Sequence, residues 1–251
     1  MGYLGEAGRT TSPGTANQAS LDVPLLIDAP AGTTLVLAVQ APVVSAITNF
    51  AATDPAGNTW TQQELVLGST LSNVQLGVLT CKVATGKDLT TGQLIHVTAP
   101  PRSPTFWAVL IEAFDDLVDV DKHAQSTGTS SSWPTGTTGA AAQNRQLLFG
   151  AWAWASPTST LASNPAGWTM SSGTLVTPNT PKNLQVGWQY VDAAGTRSAT
   201  ATFGSSLLYG AAIVALNQQA AAAPTYGRYI RNASGVWVPS VTKRLISGVW
   251  T

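Results

Sequence analysis

Side chains able to do chemistry are few in this chain of 251 residues: two histidines, His96 and His123, and a single cysteine, Cys81. A zinc site needs Cys or His at short, characteristic spacings, and neither histidine has such a neighbour. Cys81 follows an apolar run and reads as a core residue. Nucleophile elbows of the Gly-x-Ser-x-Gly type are absent, as are the glycine patterns that cradle phosphates or dinucleotides. Five of the twelve acids lie within ten residues, as Glu112, Asp115, Asp116, Asp119 and Asp121. Calcium takes such oxygen ligands, but the spacing of a helix–loop–helix calcium site is missing. The cluster therefore reads first as a solvated acidic loop, and next as a docking point for a basic segment. The expectation is a protein that is not an enzyme, with no catalytic residue, no cofactor and no metal.

Tryptophan allows a different chemistry. Trp152 and Trp154 fall on one face of a strand, and Trp188 and Tyr190 do the same on another. Indoles side by side on a β face can stack on sugar rings, so Trp152 and Trp154 are candidate glycan-facing residues. Alternate aromatics more commonly face a core or a subunit interface. Exposure decides between the two.

The elements that would position these residues are strands. Leu35–Val39, Val74–Leu79, Leu94–Val97 and Phe106–Ile111 are short runs rich in β-branched and aromatic residues, and most are bounded by Gly, Pro, Asn or Thr. Leu147–Ala155, Asn183–Tyr190, Ala199–Phe203 and Leu207–Leu216 repeat the description. Pro and Gly recur too closely for long helices. The fold class is all-β.

Two copies of one unit are visible. Asp54-Pro55-Ala56-Gly57 returns as Asn164-Pro165-Ala166-Gly167, and Asn73-Val74-Gln75-Leu76-Gly77 as Asn183-Leu184-Gln185-Val186-Gly187, both displaced by 110 residues. Leu35–Ala41 aligns with Leu147–Ala153 at a displacement of 112, and Trp107–Phe114 with Tyr209–Leu216 at 102. This implies an N-terminal arm (1–20), two related antiparallel β-sandwich modules of jelly-roll-like type (21–120 and 121–219) and a tail (224–251). Two tandem sandwiches, or one larger sandwich to which each copy gives half, both satisfy the repeat.

The tail repeats its own words, Ser234-Gly235-Val236-Trp237 and Ser247-Gly248-Val249-Trp250. It is expected to form a short β-ribbon that packs on the body or on a neighbouring chain. It carries Arg228, Arg231, Lys243 and Arg244 with no acid, which leaves 8 basic and 12 acidic groups elsewhere. Trp237 and Trp250, with those four cations, are the candidate partner-docking residues.

Charged residues are only 10% of the chain, against roughly 25% in ordinary soluble domains, while 44% are hydrophobic. Such a surface suits a subunit of an assembly. Zero net charge gives no field for nucleic acid. The longest apolar run, Leu207–Leu216, is well short of the ~18 residues that span a membrane. The opening Met1-Gly2-Tyr3-Leu4-Gly5-Glu6 lacks the basic and apolar regions of a secretory signal, so folding in a cytoplasm is expected.

Leu35–Val39 followed by Pro55-Ala56-Gly57-Asn58-Thr59-Trp60, answered by Pro165-Ala166-Gly167-Trp168-Thr169, resembles the modules of tailed-bacteriophage minor tail proteins. The terminal Gly-Val-Trp words are similar to the closing segments of virion proteins of phages infecting high-GC Gram-positive hosts. The resemblance implies a structural virion protein, a tail-tip component or a host-attachment adhesin, assembled in the host cytoplasm with other virion proteins and copies of itself. A host surface glycan is a further candidate partner on the tryptophan reading above, and the resemblance transfers no catalytic residue. A capsid-associated decoration protein is the alternative.

Overall fold

The apolar runs do become strands, and all the regular structure described is β. The computed structural model describes residues 2–12, 18–41, 47–67, 74–99, 107–156, 161–172, 174–176 and 182–219, with tail strands at 229–231, 237–239, 245–246 and 249–250. The first repeat contains β1 (Tyr3–Thr11), β2 (Ser20–Pro24), β3 (Thr34–Gln40), β4 (Ala51–Thr53), β5 (Trp60–Leu67), β6 (Gln75–Lys82), β7 (Leu94–Thr98) and β8 (Ala108–Phe114). Its main sheet has the order β1-β8-β3-β6-β5, and a smaller sheet the order β2-β7-β4. The second repeat contains β9 (Leu117–Pro134), β10 (Gln146–Ala155), β11 (Thr169–Met170), β12 (Leu175–Val176), β13 (Lys182–Val191) and β14 (Thr200–Gln218). Its main sheet runs β11-β13-β10-β14-β9, with β12 also on β13.

The two main sheets thus share one strand order, β9, β14, β10 and β13 standing where β1, β8, β3 and β6 stand in the first. Pairing register refines the alignment. Val36 lies opposite Thr80 and Glu112, while Leu147 lies opposite Tyr190 and Leu216. Val36 therefore corresponds to Leu147, a displacement of 111 rather than 112, and Glu112 to Leu216, which is 104 rather than 102. The difference matters because a one-residue slip exchanges the two faces of a strand.

The smaller sheet has an irregular counterpart. In the second repeat Thr135 N–H donates to Ala199 O (2.9 Å), Thr138 N–H to Arg197 O (2.8 Å) and Ala162 N–H to Thr202 O (2.8 Å). These correspond to the β2–β7 and β4–β7 contacts of the first repeat, made by segments that are irregular except for the ends of β9 and β14. β9 and β14 are long because each runs on into this layer, where Trp133 pairs with Ala201.

Each repeat encloses its own core. Leu35, Leu37, Val39, Leu79, Ile95 and Trp107 belong to the first; Trp133, Trp152, Trp154, Phe203 and Tyr209 belong to the second. A third apolar cluster joins the repeats, with Val36, Leu76, Val78 and Leu110 of one main sheet facing Phe149, Val186, Trp188 and Val214 of the other. β1 lies against β12, β8 against β13, β6 against β14 and β5 against β9. Gln40 Nε2 reaches Trp154 O (3.4 Å), so β3 and β10 end on the same side. This arrangement relates the repeats by an approximate two-fold axis along the strands.

Three expectations change. The described part of residues 1–20 is not a free arm: Tyr3–Thr11 pairs with β8 as an edge strand. Its Gly-rich sequence hides this, because register shifts between Tyr3 and Gly5 and between Glu6 and Gly8 break any alternation. Residues 1–219 form one compact unit, in which the first repeat ends at Phe114 and the second begins at Leu117. The tail, 220–251, is a separate unit. Among the described residues, the strands that hold Trp237 and Trp250, one from each Gly-Val-Trp word, do not pair with each other. β15 (Tyr229–Arg231) pairs with β16 (Trp237–Pro239), and β17 (Leu245–Ile246) with β18 (Val249–Trp250), so each word supplies the second strand of its own two-stranded ribbon.

Candidate functional site

The repeated words have physical roles. In Asn-x-Gln-x-Gly the apolar residues between the named ones, Val74 and Leu76 or Leu184 and Val186, face the inter-repeat cluster. Gln75 and Gln185 face the other way, Gln75 holding the segment that crosses the sheet after β3 and Gln185 the residue that follows β11. Gln75 Oε1 accepts from Ile47 N–H (3.2 Å), and Gln185 Nε2 donates to Ser171 Oγ (2.7 Å). A Cβ on Gly77 would lie 2.2 Å from Phe50 Cδ2, and one on Gly187 2.5 Å from Met170 Sδ. Gly77 is the seat of Phe50 from the segment that crosses after β3, and Gly187 that of Met170 from the neighbouring strand β11. In the Pro-Ala-Gly turns, Gly57 (φ 71°) and Gly167 (φ 79°) take the left-handed conformation that glycine adopts without steric cost. Asp54 secures the first turn, accepting from Ala56 N–H (3.0 Å) and from Trp60 Nε1–H (2.9 Å).

Trp152 and Trp154, proposed on sequence as glycan-facing, are both fully buried. Trp133 lies 5.3 Å from Trp154 and stacks on Phe203 at 5.1 Å, centroid to centroid, and Trp168 meets Trp152 edge-on. The second layer of the repeat covers this face, so the indoles are core. Their alternation correctly places them on one face but carries no information about what lies above it. Trp188 is also buried, while Tyr190 keeps 38% exposure. Burial, with Asp115 and Asp116 nearby, pushes the Tyr190 hydroxyl up to about 12.

The acidic cluster is dispersed by the fold. Asp121 accepts from Ala142 N–H (2.8 Å) and Gln146 Nε2 (2.7 Å), and Asp119 from Asn217 Nδ2 (3.0 Å). Asp115 binds the Gly2 N–H. Among the described residues no three of His, Cys, Asp and Glu gather as a metal-ligand set. His96 sits on the exposed face of β7 against Asp22 (2.7 Å), and His123 Nδ1 meets Glu64 Oε1 (2.8 Å) between the two main sheets. Cys81 is buried, which pushes its thiol up to about 12, with Asp54 adding to the shift.

Glu112 is the residue that sequence reasoning misread. It is fully buried on the face of β8 that meets the second repeat. Its Oε2 accepts from Tyr3 O–H (2.8 Å), and its Oε1 has no partner. Burial raises its carboxyl to about 7; Glu6 adds to the rise, while the Tyr3 bond and Arg9 oppose it. Burial likewise raises the Tyr3 hydroxyl above its ordinary range. The strand pattern, apolar on both sides of Glu112, was the available signal.

Of the docking residues, Trp237 and Arg231 lie on β16 and β15 and Trp250 on β18. Arg228, Lys243 and Arg244 lie outside the described residues. Fold and candidate site together describe a duplicated antiparallel β-sandwich body that carries a separate, basic, hairpin-forming tail. No family model matches the chain, no curated protein matches its sequence, and no solved structure matches its fold.

Proposed function

We propose that the chain is an architectural, non-enzymatic subunit of a bacteriophage virion, a minor tail or tail-tip protein, built into the particle in the host cytoplasm. The observation that carries this reading is the division between body and tail. Residues 1–219 form one compact unit with its own apolar cores, and 220–251 form a second unit that includes two short ribbons. Isolated two-stranded ribbons are marginal in water, so such a unit gains its stability from what it docks on. Its four cations and no acids suit an acidic neighbour, and Trp237 and Trp250 supply the aromatic anchors typical of interface hot spots. The charge-poor surface fits life among other virion proteins and further copies of the chain. A host-glycan role loses its carriers, because Trp152 and Trp154 are buried.

The test is location. Antibody labelling of intact particles followed by electron microscopy should mark the tail tip. Label on the head would favour the decoration reading, and its absence from particles would reject both.

A further inference from the structure

We propose that Glu112 is a proton-operated clasp on β1: while its carboxyl is neutral the Gly2–Glu6 end of the strand stays seated across the two repeats, and once the carboxyl ionises that end detaches. The geometry starts from Tyr3. Its hydroxyl holds Glu112 of its own repeat, while its ring stacks on Trp188 of the other at 4.2 Å. A hydrogen bond from Asp115 N–H to Gly2 O (3.0 Å) is the next anchor of this end. The strand is an edge strand with two register shifts in its first six residues, the kind of element that opens locally at small cost.

The surroundings of Glu112 penalise its charge. On β1, Glu6 is its cross-strand neighbour, a like charge, and Arg9 Nε is engaged with Glu6 Oε1 at 2.8 Å. On β3 its neighbour is Val36, and along β8 its face continues with Leu110 and Phe114. The opposite sheet presents Leu184, Val186 and Trp188, and Ser172 Oγ donates to Glu6 (3.1 Å). Oε1 has no partner in either state, but only ionisation leaves a full charge among these apolar groups, which favours the open strand that lets water in.

The second repeat shows what the fold alone requires here. The pair equivalent to Glu6 and Glu112 is Val120 and Leu216, which lie opposite each other in the same inter-repeat cluster. An apolar pair meets the packing need, so the two carboxyls are a departure specific to the strand that carries Tyr3.

The sign follows from the raised carboxyl. Its contribution to closure is complete below the ordinary glutamate range and is lost as pH rises to about 7, after which it stays lost. Between pH 5 and pH 8 the open fraction should rise about 70-fold. Hydrogen exchange of the full chain, read by mass spectrometry and corrected for the intrinsic pH dependence of amide exchange, tests this. Protection of the Leu4–Glu6 amides should fall about 70-fold across that range. It should be independent of pH in Glu112→Gln. In Glu6→Gln, which removes the like charge, the fall should be smaller and complete at lower pH. Protection that is flat with pH in the unaltered chain, or that falls equally in Glu112→Gln, overturns the clasp. Should Glu112→Gln not fold, an unchanged profile in Glu6→Gln overturns it instead.

Discussion

Replacing Gly77 with alanine tests whether the repeated Asn-x-Gln-x-Gly word is a seat for the crossing segment. The new Cβ would lie 2.2 Å from Phe50 Cδ2, 2.9 Å from Cγ and 3.0 Å from Cε2. Carbon atoms settle at about 3.5–4.0 Å, so the ring must retreat by more than 1 Å or β6 must bend. Phe50 is only 1% exposed, and its N–H is held by Gln62 Oε1, so retreat is resisted. Overpacking of this kind costs about 1–3 kcal/mol, against about 0.5–1 kcal/mol gained by removing a glycine from a strand. The net expectation is a loss of about 1–2 kcal/mol by urea titration of the purified chain. Gly204→Ala is the control, because nothing lies within 4 Å of its Cβ, and it should be neutral or slightly stabilising. Phe50→Leu should then show a coupling of about 1 kcal/mol with Gly77→Ala in a double-mutant cycle. If Gly77→Ala is as benign as the control, or if the two substitutions are additive, the seat has no energetic role.

Trp154→Ala should destabilise the body by about 3–5 kcal/mol in the same titration, as expected for a fully buried indole; a loss below 1 kcal/mol would mean the face is open after all. Cys81 should stay unreactive toward a thiol reagent at pH 8 until the chain unfolds, since burial holds its thiol up at about 12. Fast modification of the native protein would contradict that burial. Deleting residues 220–251 should leave the melting temperature of the body within about 2 °C while preventing incorporation into particles. A truncated chain that assembles normally removes the docking role, and one that does not fold makes the tail part of the body's stability.

The parts of the fold legible in the sequence were those where the two faces of a strand differ. In β6 and β13 polar residues and glycine alternate with apolar ones, so the repeat at 110 is unambiguous. β3 and β8 are buried on both faces along their whole length, and nothing in Thr-Leu-Val-Leu-Ala-Val-Gln marks which side a residue takes. Alignment by apolar character alone slipped there by one and by two residues. β1 escaped notice because its bulges and glycines erase alternation. Proximity in sequence groups Glu112 with its acidic neighbours, yet it points into the sheet interface while Asp115 and Asp116 form the turn beyond it. The alternation puts the indoles at 152 and 154 on the correct strand, but their burial depends on Trp133, Ala199, Ala201 and Phe203, which come from other parts of the chain.

The approximate two-fold relation between the repeats has a consequence for dilution and for shape. Two separate copies meeting through such an interface would form a homodimer that dissociates at low concentration and presents the same outer surface twice. Joined by the Asp115-Asp116 turn, the halves meet at a fixed effective concentration, so the melting temperature of the body should not change as the protein is diluted. Covalent linkage also frees each half to change independently. One outer layer has become a regular sheet bearing the Asp22–His96 pair, and the other an irregular layer over a tryptophan core. A subunit with two unlike outer faces can stand between two unlike neighbours, a position that a symmetric dimer cannot occupy.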